Sequence, residues 1–229
     1  MSRLARLFTS PKPPGPPGGR EVPYNGPPPG PAQRRSDRDT WHPPEIHGRT
    51  VILRRHRPED FAAVARWYRD PELARLTRFH PGPVSDEEVR SYFNARLISN
   101  DSFAYAILRA GDGALIGTTT FSQLDADNRS VLFHISIGEP EAWGHGFGTE
   151  ATRLMVAHAF TRLGVHRVAL SVFAFNQRAV RAYEKAGFVI EGRGREAVWR
   201  DGRFWDEVHM GILADEWREQ QAPAERQDR

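Results

Sequence analysis

The stretch Gly144-His145-Gly146-Phe147-Gly148-Thr149 constrains this chain more than any other. It follows an alternating pattern, Val131–Gly138, and opens a helical pattern that runs to about Arg162. Alternating glycines let the main chain take positive φ and let a ligand approach it closely. The helix start adds N–H groups without intrahelical partners and a partial positive charge. Together they make an anion site suited to a pyrophosphate, although a purely structural turn uses the same residues. The loop is not a Walker-type phosphate loop, because no Gly-Lys-Ser/Thr follows. Nor is it a dinucleotide fingerprint: the third glycine is misplaced, and a meander precedes it instead of the first strand of a βαβ unit.

The surrounding pattern gives a mixed α/β domain. Thr50–Arg55 reads as a strand, and Pro58-Glu59-Asp60 opens a helix with Phe61, Val64, Ala65 and Tyr68 on one face. Ser85 and Glu88 form a capping box for a second helix. Ser102–Arg109, Leu115–Ser122 and Val131–Gly138 read as an antiparallel meander, with Val131, Phe133, Ile135 and Ile137 facing away from Leu132, His134 and Ser136. After the glycine loop and its helix come the strand Arg167–Val172, a helix capped by Asn176 that stops at Gly187, and the strands Phe188–Val198 and Phe204–Leu213 joined at Asp201-Gly202. Seven strands and four helices in this order predict a mixed sheet with helices on both faces.

Composition delimits the domain. Twelve of the 18 prolines lie in residues 1–45, which predicts a disordered, Pro/Gly-rich basic extension, since such a segment buries too little to offset its chain entropy. The domain is expected over 46–219, with a polar, frayed end over 220–229. The extension carries seven basic and four acidic residues, hence the whole net charge of +3. The rest is neutral overall and offers no field for nucleic acid. No apolar run of 18 residues exists, so no membrane partner is expected. The chain has no cysteine, which fits a cytoplasmic location and excludes thiolate metal sites; the nine histidines show no metal-ligand spacing, and no metal is expected.

Four pieces, in order, resemble the GCN5-related N-acetyltransferase (GNAT) superfamily, most closely the branch of ribosomal-protein N-terminal and polyamine acetyltransferases. They are Leu53-Arg54 with Pro58-Glu59-Asp60; Ile137 through Ala151; Asn176-x-Arg178-Ala179 with Tyr183-Glu184-Lys185-x-Gly187-Phe188; and Asp206-x-x-x-Met210-Gly211-Ile212-Leu213. The resemblance spans roughly Ile46 to Trp217. It implies a mostly antiparallel seven-stranded sheet splayed between the fourth and fifth strands, with acetyl-CoA as co-substrate. By resemblance, His145, Gly146, Phe147, Gly148 and Thr149 hold the pyrophosphate, backbone at Ile135 and Ile137 receives the pantetheine arm, Asn176 contacts that arm, and Tyr183 is the general acid. Trp143 stands where the family usually has Gln or Arg.

The implied reaction is acetyl transfer to a primary amine of a peptide N-terminus, polyamine or amino sugar, by direct attack in a ternary complex. The ammonium, with a pKa of about 10, must first lose a proton. Related sequences often carry a Glu for this on the strand before the loop, where this chain has Leu132. His134, on the same face, is the replacement candidate because neutral imidazole is a competent base near neutrality. Glu139 and Asp206 are fallbacks. Phe79-His80-Pro81 and the helix from Ser85 border the acceptor side by resemblance. A non-catalytic acyl-CoA sensor and an interaction protein acting through the proline-rich extension are the competing readings. A homodimer is open as the assembly.

Overall fold

The eight strands form one sheet in the order β1-β2-β3-β4-β5-β6-β8-β7, seen in a computed structural model that describes residues 43–99 and 103–225, with side chains to 221. The expected extension over 1–45 lies outside the described residues except for its last three. The first strand was not anticipated: β1 (Glu45–His47) pairs antiparallel with β2 (Val51–Arg55), so the sheet has eight strands where seven were expected. Three residues beside a proline-rich segment show no period of their own.

β3 (Phe103–Arg109), β4 (Leu115–Asp125) and β5 (Ser130–Ile137) form the expected antiparallel meander. β7 (Val189–Arg200) and β8 (Arg203–Leu213) form the expected hairpin, with Asp201 and Gly202 both at positive φ, 51° and 77°. Two positive φ values match the twist of the flanking strands, which is why Asp-Gly marks such turns. The helix α6 (Ala214–Glu225) continues beyond the point where a frayed end was expected.

The early helices number three rather than two. α1 (Phe61–Arg69) is followed directly by α2 (Pro71–Thr77), then α3 (Asp86–Tyr92). Asp70 caps α2 by accepting from the Leu73 N–H at 2.8 Å, and Pro71 occupies its first position. That Asp-Pro signal is in the sequence, but the helix is short and its period blends into α1. The capping box at Ser85 and Glu88 is present as expected.

Two cores flank the sheet. On one face, α4 (Phe147–His158) lays Ala151, Met155 and Val156 against Val131, Phe133 and Val168, and α5 (Gln177–Lys185) adds Val180. On the other, Val64, Trp67, Leu73, Phe93 and Leu97 from α1, α2 and the turn after α3 pack with Ala104. The entry into α1 is fixed by a buried carboxylate. Asp60 accepts from both Arg54 guanidinium nitrogens at 2.8 Å, from His56 Nδ1 at 3.2 Å and from the Arg57 N–H at 2.9 Å. Burial opposes its charge, but these donors outweigh burial and hold Asp60 well below the usual carboxylate range. Glu150 stands in the first turn of α4. It accepts from the Arg49 and Thr50 N–H groups and ties α4 to the start of β2.

β5 and β6 (Arg167–Phe173) are neighbours in parallel, yet they pair only through Ser130, Val131 and Leu132 against Arg167, Val168 and Ala169. Beyond Leu132 they part. This is the expected splay, and the rest of the molecule is organised around it.

Candidate active site

A cavity of about 480 Å³ passes through this gap. On the α4–α5 side its wall holds Ile135, Ile137, Gly146, Phe147, Gly148, Thr149, Asn176 and Tyr183. On the α1–α3 side it holds His134, Thr118, Tyr68 and Arg78, and along β6 and β8 it holds Ser171, Glu207 and His209. One site thus gathers every residue expected to bind the cofactor or act in catalysis except His145 and the two fallback bases, Glu139 and Asp206. The His145 side chain is exposed, donates from Nδ1 to the Trp143 carbonyl at 2.9 Å and stacks on Phe147.

The glycine loop has the conformation its sequence demands. Gly144 and Gly146 have φ of 82° and 85°, and a Cβ on either would meet no atom within 4 Å. The strain there is one of backbone alone, which leaves the space over the loop open. Gly146 is the N-cap of α4, so the N–H groups of Phe147, Gly148 and Thr149 begin the helix without intrahelical acceptors. Trp143, where the family has Gln or Arg, donates its indole N–H to the Ile137 carbonyl at 2.8 Å. Arg178 lies over its ring at 3.9 Å, so a guanidinium still stands beside the loop.

On the opposite wall, the β5 edge beyond Leu132 has no strand partner. Part of the acceptor capacity of Ile137 is taken by Trp143, which leaves its carbonyl one further lone pair. Asn176 caps α5 through Oδ1, accepting from the Ala179 N–H at 3.2 Å. Asn176→Ala is expected to lower stability by about 1 kcal/mol through the lost cap, a melting shift of roughly 2–4 °C by calorimetry. Tyr183 is held by edge contacts with Phe133 and Phe188, its hydroxyl has no hydrogen bond among the described residues, and burial pushes its pKa well above the usual tyrosine value. It therefore stays protonated at every working pH.

The base candidates separate clearly. Glu139 is bound by the Trp67 indole N–H at 2.9 Å and by Arg66, outside the cavity wall. Asp206 accepts from the Glu196 N–H at 3.0 Å and steadies the irregular part of the β7–β8 hairpin. His134 does line the cavity, with Nε2 2.7 Å from Ser122 Oγ. Burial, with help from Arg96, pushes its pKa down to about 4.

Sequence reasoning missed a second imidazole. His56 Nε2 lies 2.9 Å from Thr118 Oγ1, while its Nδ1 faces Asp60. Ionised Asp60 only accepts, so Nδ1 carries the proton and Nε2 takes one from the Thr118 hydroxyl. The result is a carboxylate–imidazole–hydroxyl series that ends in the cavity wall.

The two imidazoles give an acid-stability expectation. The folded state resists protonation of His134 down to about pH 4 and also lowers His56, whereas unfolded histidine binds a proton near 6.5. Between those values the unfolded chain holds more protons, so stability falls as pH falls, by up to roughly 3 kcal/mol from His134. Below about pH 4 the Asp60 contribution is lost as well. Melting temperatures at pH 7.5, 6, 5 and 4 should decline in that order, and His134→Gln should flatten the first part of the decline.

The domain family described as acetyltransferase (GNAT) matches residues 50–189. The chain belongs to the GNAT family. Among its relatives, spermidine N(1)-acetyltransferase of Vibrio cholerae is 31% identical over 133 residues, covering 58% of this chain and 76% of that protein. L-amino acid N-acetyltransferase AaaT of Escherichia coli is 27% identical over 161 residues, covering 70% and 96%. The crystal structure of Vibrio cholerae spermidine N-acetyltransferase in complex with CoA and spermine superposes with a TM-score of 0.66 at 27% identity, covering 73% of this chain and 98% of that one. This GNAT protein is an acetyl-CoA-dependent acyltransferase that acetylates an amine. Among its described residues, no helix is long and apolar enough to cross a membrane, and no cluster of three or more His, Asp or Glu side chains could hold a metal.

Proposed function

We propose that the enzyme transfers acetyl directly from acetyl-CoA to a small-molecule primary amine, both bound at once on opposite sides of the sheet. The observation that carries this reading is the parting of β5 and β6 beyond Leu132, with the glycine loop at one mouth of the gap and a polar pocket at the other. The first-turn N–H groups of α4 and the guanidinium of Arg178 hold the pyrophosphate. The free edge of β5 at Ile135 and Ile137 takes the pantetheine arm as a strand would. Asn176 meets the same arm.

On the other side, the ammonium loses its proton to Thr118, whose hydroxyl proton passes to His56. Burial and the charges of Arg54 and Arg55 lower His56, and Asp60 offsets part of that by accepting from the imidazolium that forms, whereas burial and Arg96 both lower His134. His134 is a neutral wall group that orients the amine. The amine nitrogen then attacks the thioester carbon, and the carbonyl oxygen takes up negative charge. A β5 backbone N–H at the free edge stabilises that oxyanion, a contribution typically of about 3–4 kcal/mol. As the C–S bond breaks, Tyr183 gives its proton to the sulfur, and the attacking nitrogen, positively charged after the C–N bond forms, releases the proton that restores the phenol, so that a neutral amide and a thiol leave. Burial disfavours thiolate and phenolate alike, so the transfer to sulfur goes to completion only because the nitrogen's proton replaces the one Tyr183 gives up.

Initial-rate kinetics with acetyl-CoA and a panel of primary amines, followed by thiol release, test the scheme. Intersecting double-reciprocal lines and no acetylated protein by mass spectrometry are expected. Parallel lines with an acetylated protein intermediate contradict direct attack. Acetyl-CoA binding without turnover of any amine favours the sensor reading.

A further inference from the structure

The acceptor half of the cavity contains a buried cation that the reaction above does not use. Arg78 follows α2 and is only 4% exposed, yet it lines the cavity. Among the described residues its one side-chain hydrogen bond is a long contact, 3.5 Å, to the Gly82 carbonyl. No described carboxylate lies within ion-pair distance. Burial lowers its pKa, and the Tyr68 hydroxyl, which could offset its charge only if ionised, is kept protonated by burial. Buried guanidinium groups are ordinarily paired, because taking a lone charge out of water is costly.

The position is also deliberately fixed. Arg200 spans from the β7–β8 hairpin to the Phe79 carbonyl at 3.1 Å and to the Arg78 carbonyl. Phe79 stacks edge-on against Phe173 at 5.0 Å. The backbone of Arg78 is therefore clamped against the sheet, and the residue forms part of the pocket wall. Five N–H donors in a planar fork suit a carboxylate or another oxyanion, bound bidentately. They do not suit a polycation, which a fixed buried guanidinium repels.

We propose that Arg78 binds an anionic group on the acceptor, so that the substrate class is an amine carrying a carboxylate, such as a free amino acid, and not a polyamine. This rests on the acetyl-transfer reading and specifies its acceptor. The reacting nitrogen faces Thr118 and the gap, and the carboxylate closes on Arg78.

The test compares each amino carboxylate with its uncharged amide, across α- and ω-amino acids, with spermidine alongside. The wild-type enzyme should prefer carboxylate over amide by at least tenfold in kcat/KM, and should use spermidine less well than either. In Arg78→Met the carboxylate-to-amide ratio should fall toward one, mainly through KM. Arg78→Lys, which keeps a charge but loses the fork, should retain part of the preference. A parallel arm needs no turnover: calorimetric titration of N-acetyl amino acids into the CoA-loaded protein should show binding to wild type and at least tenfold weaker binding to Arg78→Met, with melting curves confirming that both variants fold. Equal use of carboxylates and amides, a preference for spermidine, or N-acetyl amino acids binding wild type and Arg78→Met alike would each overturn the anion site while leaving acetyl transfer intact. Failure of every amine to turn over, with the titration difference present, would overturn the transfer reading and leave the anion site standing.

Discussion

Tyr183→Phe is expected to lower kcat roughly 10²–10³-fold, within the range for losing one general acid. The substitution removes a hydroxyl and nothing else of consequence. The ring is held by Phe133 and Phe188, contacts that phenylalanine keeps. The hydroxyl has no protein partner among the described residues, so its loss strands no buried donor or acceptor. Acetyl-CoA affinity should therefore stay within about twofold and the melting temperature should barely move. Stopped-flow thiol release under single-turnover conditions isolates the step. An unchanged rate would mean that the sulfur is protonated by another group or by solvent, and Tyr183 would then be only a wall of the cavity.

Gly146→Val is expected to weaken acetyl-CoA binding at least about 100-fold, equivalent to roughly 2.7 kcal/mol. Two effects combine. The first is backbone strain: φ at Gly146 is 85°, which costs a non-glycine residue about 1–3 kcal/mol, most for a β-branched one. The second is occupancy. A Cβ here meets no protein atom within 4 Å, so the valine stands in the space where a phosphate would approach the main chain. Gly146→Ala separates the two, because alanine carries most of the strain and little of the bulk. Isothermal titration should show an intermediate loss for alanine. If valine and alanine bind acetyl-CoA as tightly as wild type, the loop is a structural turn.

Local chemistry made much of the fold legible. The Asp201-Gly202 turn, the Ser85 capping box, the Asn176 cap and the alternation along β5 are each set by a few adjacent residues, and each appears where the pattern puts it. β1 and α2 were missed because three and seven residues are too short for a period to stand out from their neighbours. The same contrast runs through the site. Gly146 and Tyr183 announce themselves by motif, whereas the partners of His56 and Arg78 depend on packing. His56 and Thr118 are 62 residues apart, and Arg200 reaches Arg78 across 122. Leu132 signalled that the usual strand carboxylate was absent, and nothing local showed that Asp60, at the start of α1, supports an imidazole on the same side of the sheet. The motif Leu53-Arg54 with Pro58-Glu59-Asp60 was visible, and the structure gives its physical reason: Arg54 neutralises the carboxylate that orders the α1 start.

Hydrogen exchange measured with and without acetyl-CoA probes most directly whether the parted strands are where the coenzyme lies. The expected result is slowed amide exchange confined to two segments, residues 133–138 on the free edge of β5 and residues 146–150 at the start of α4, with the β7–β8 hairpin tip unaffected. Acetyl-CoA that binds while leaving both segments exchanging at their original rates would place the coenzyme elsewhere and remove the basis of the proposed chemistry.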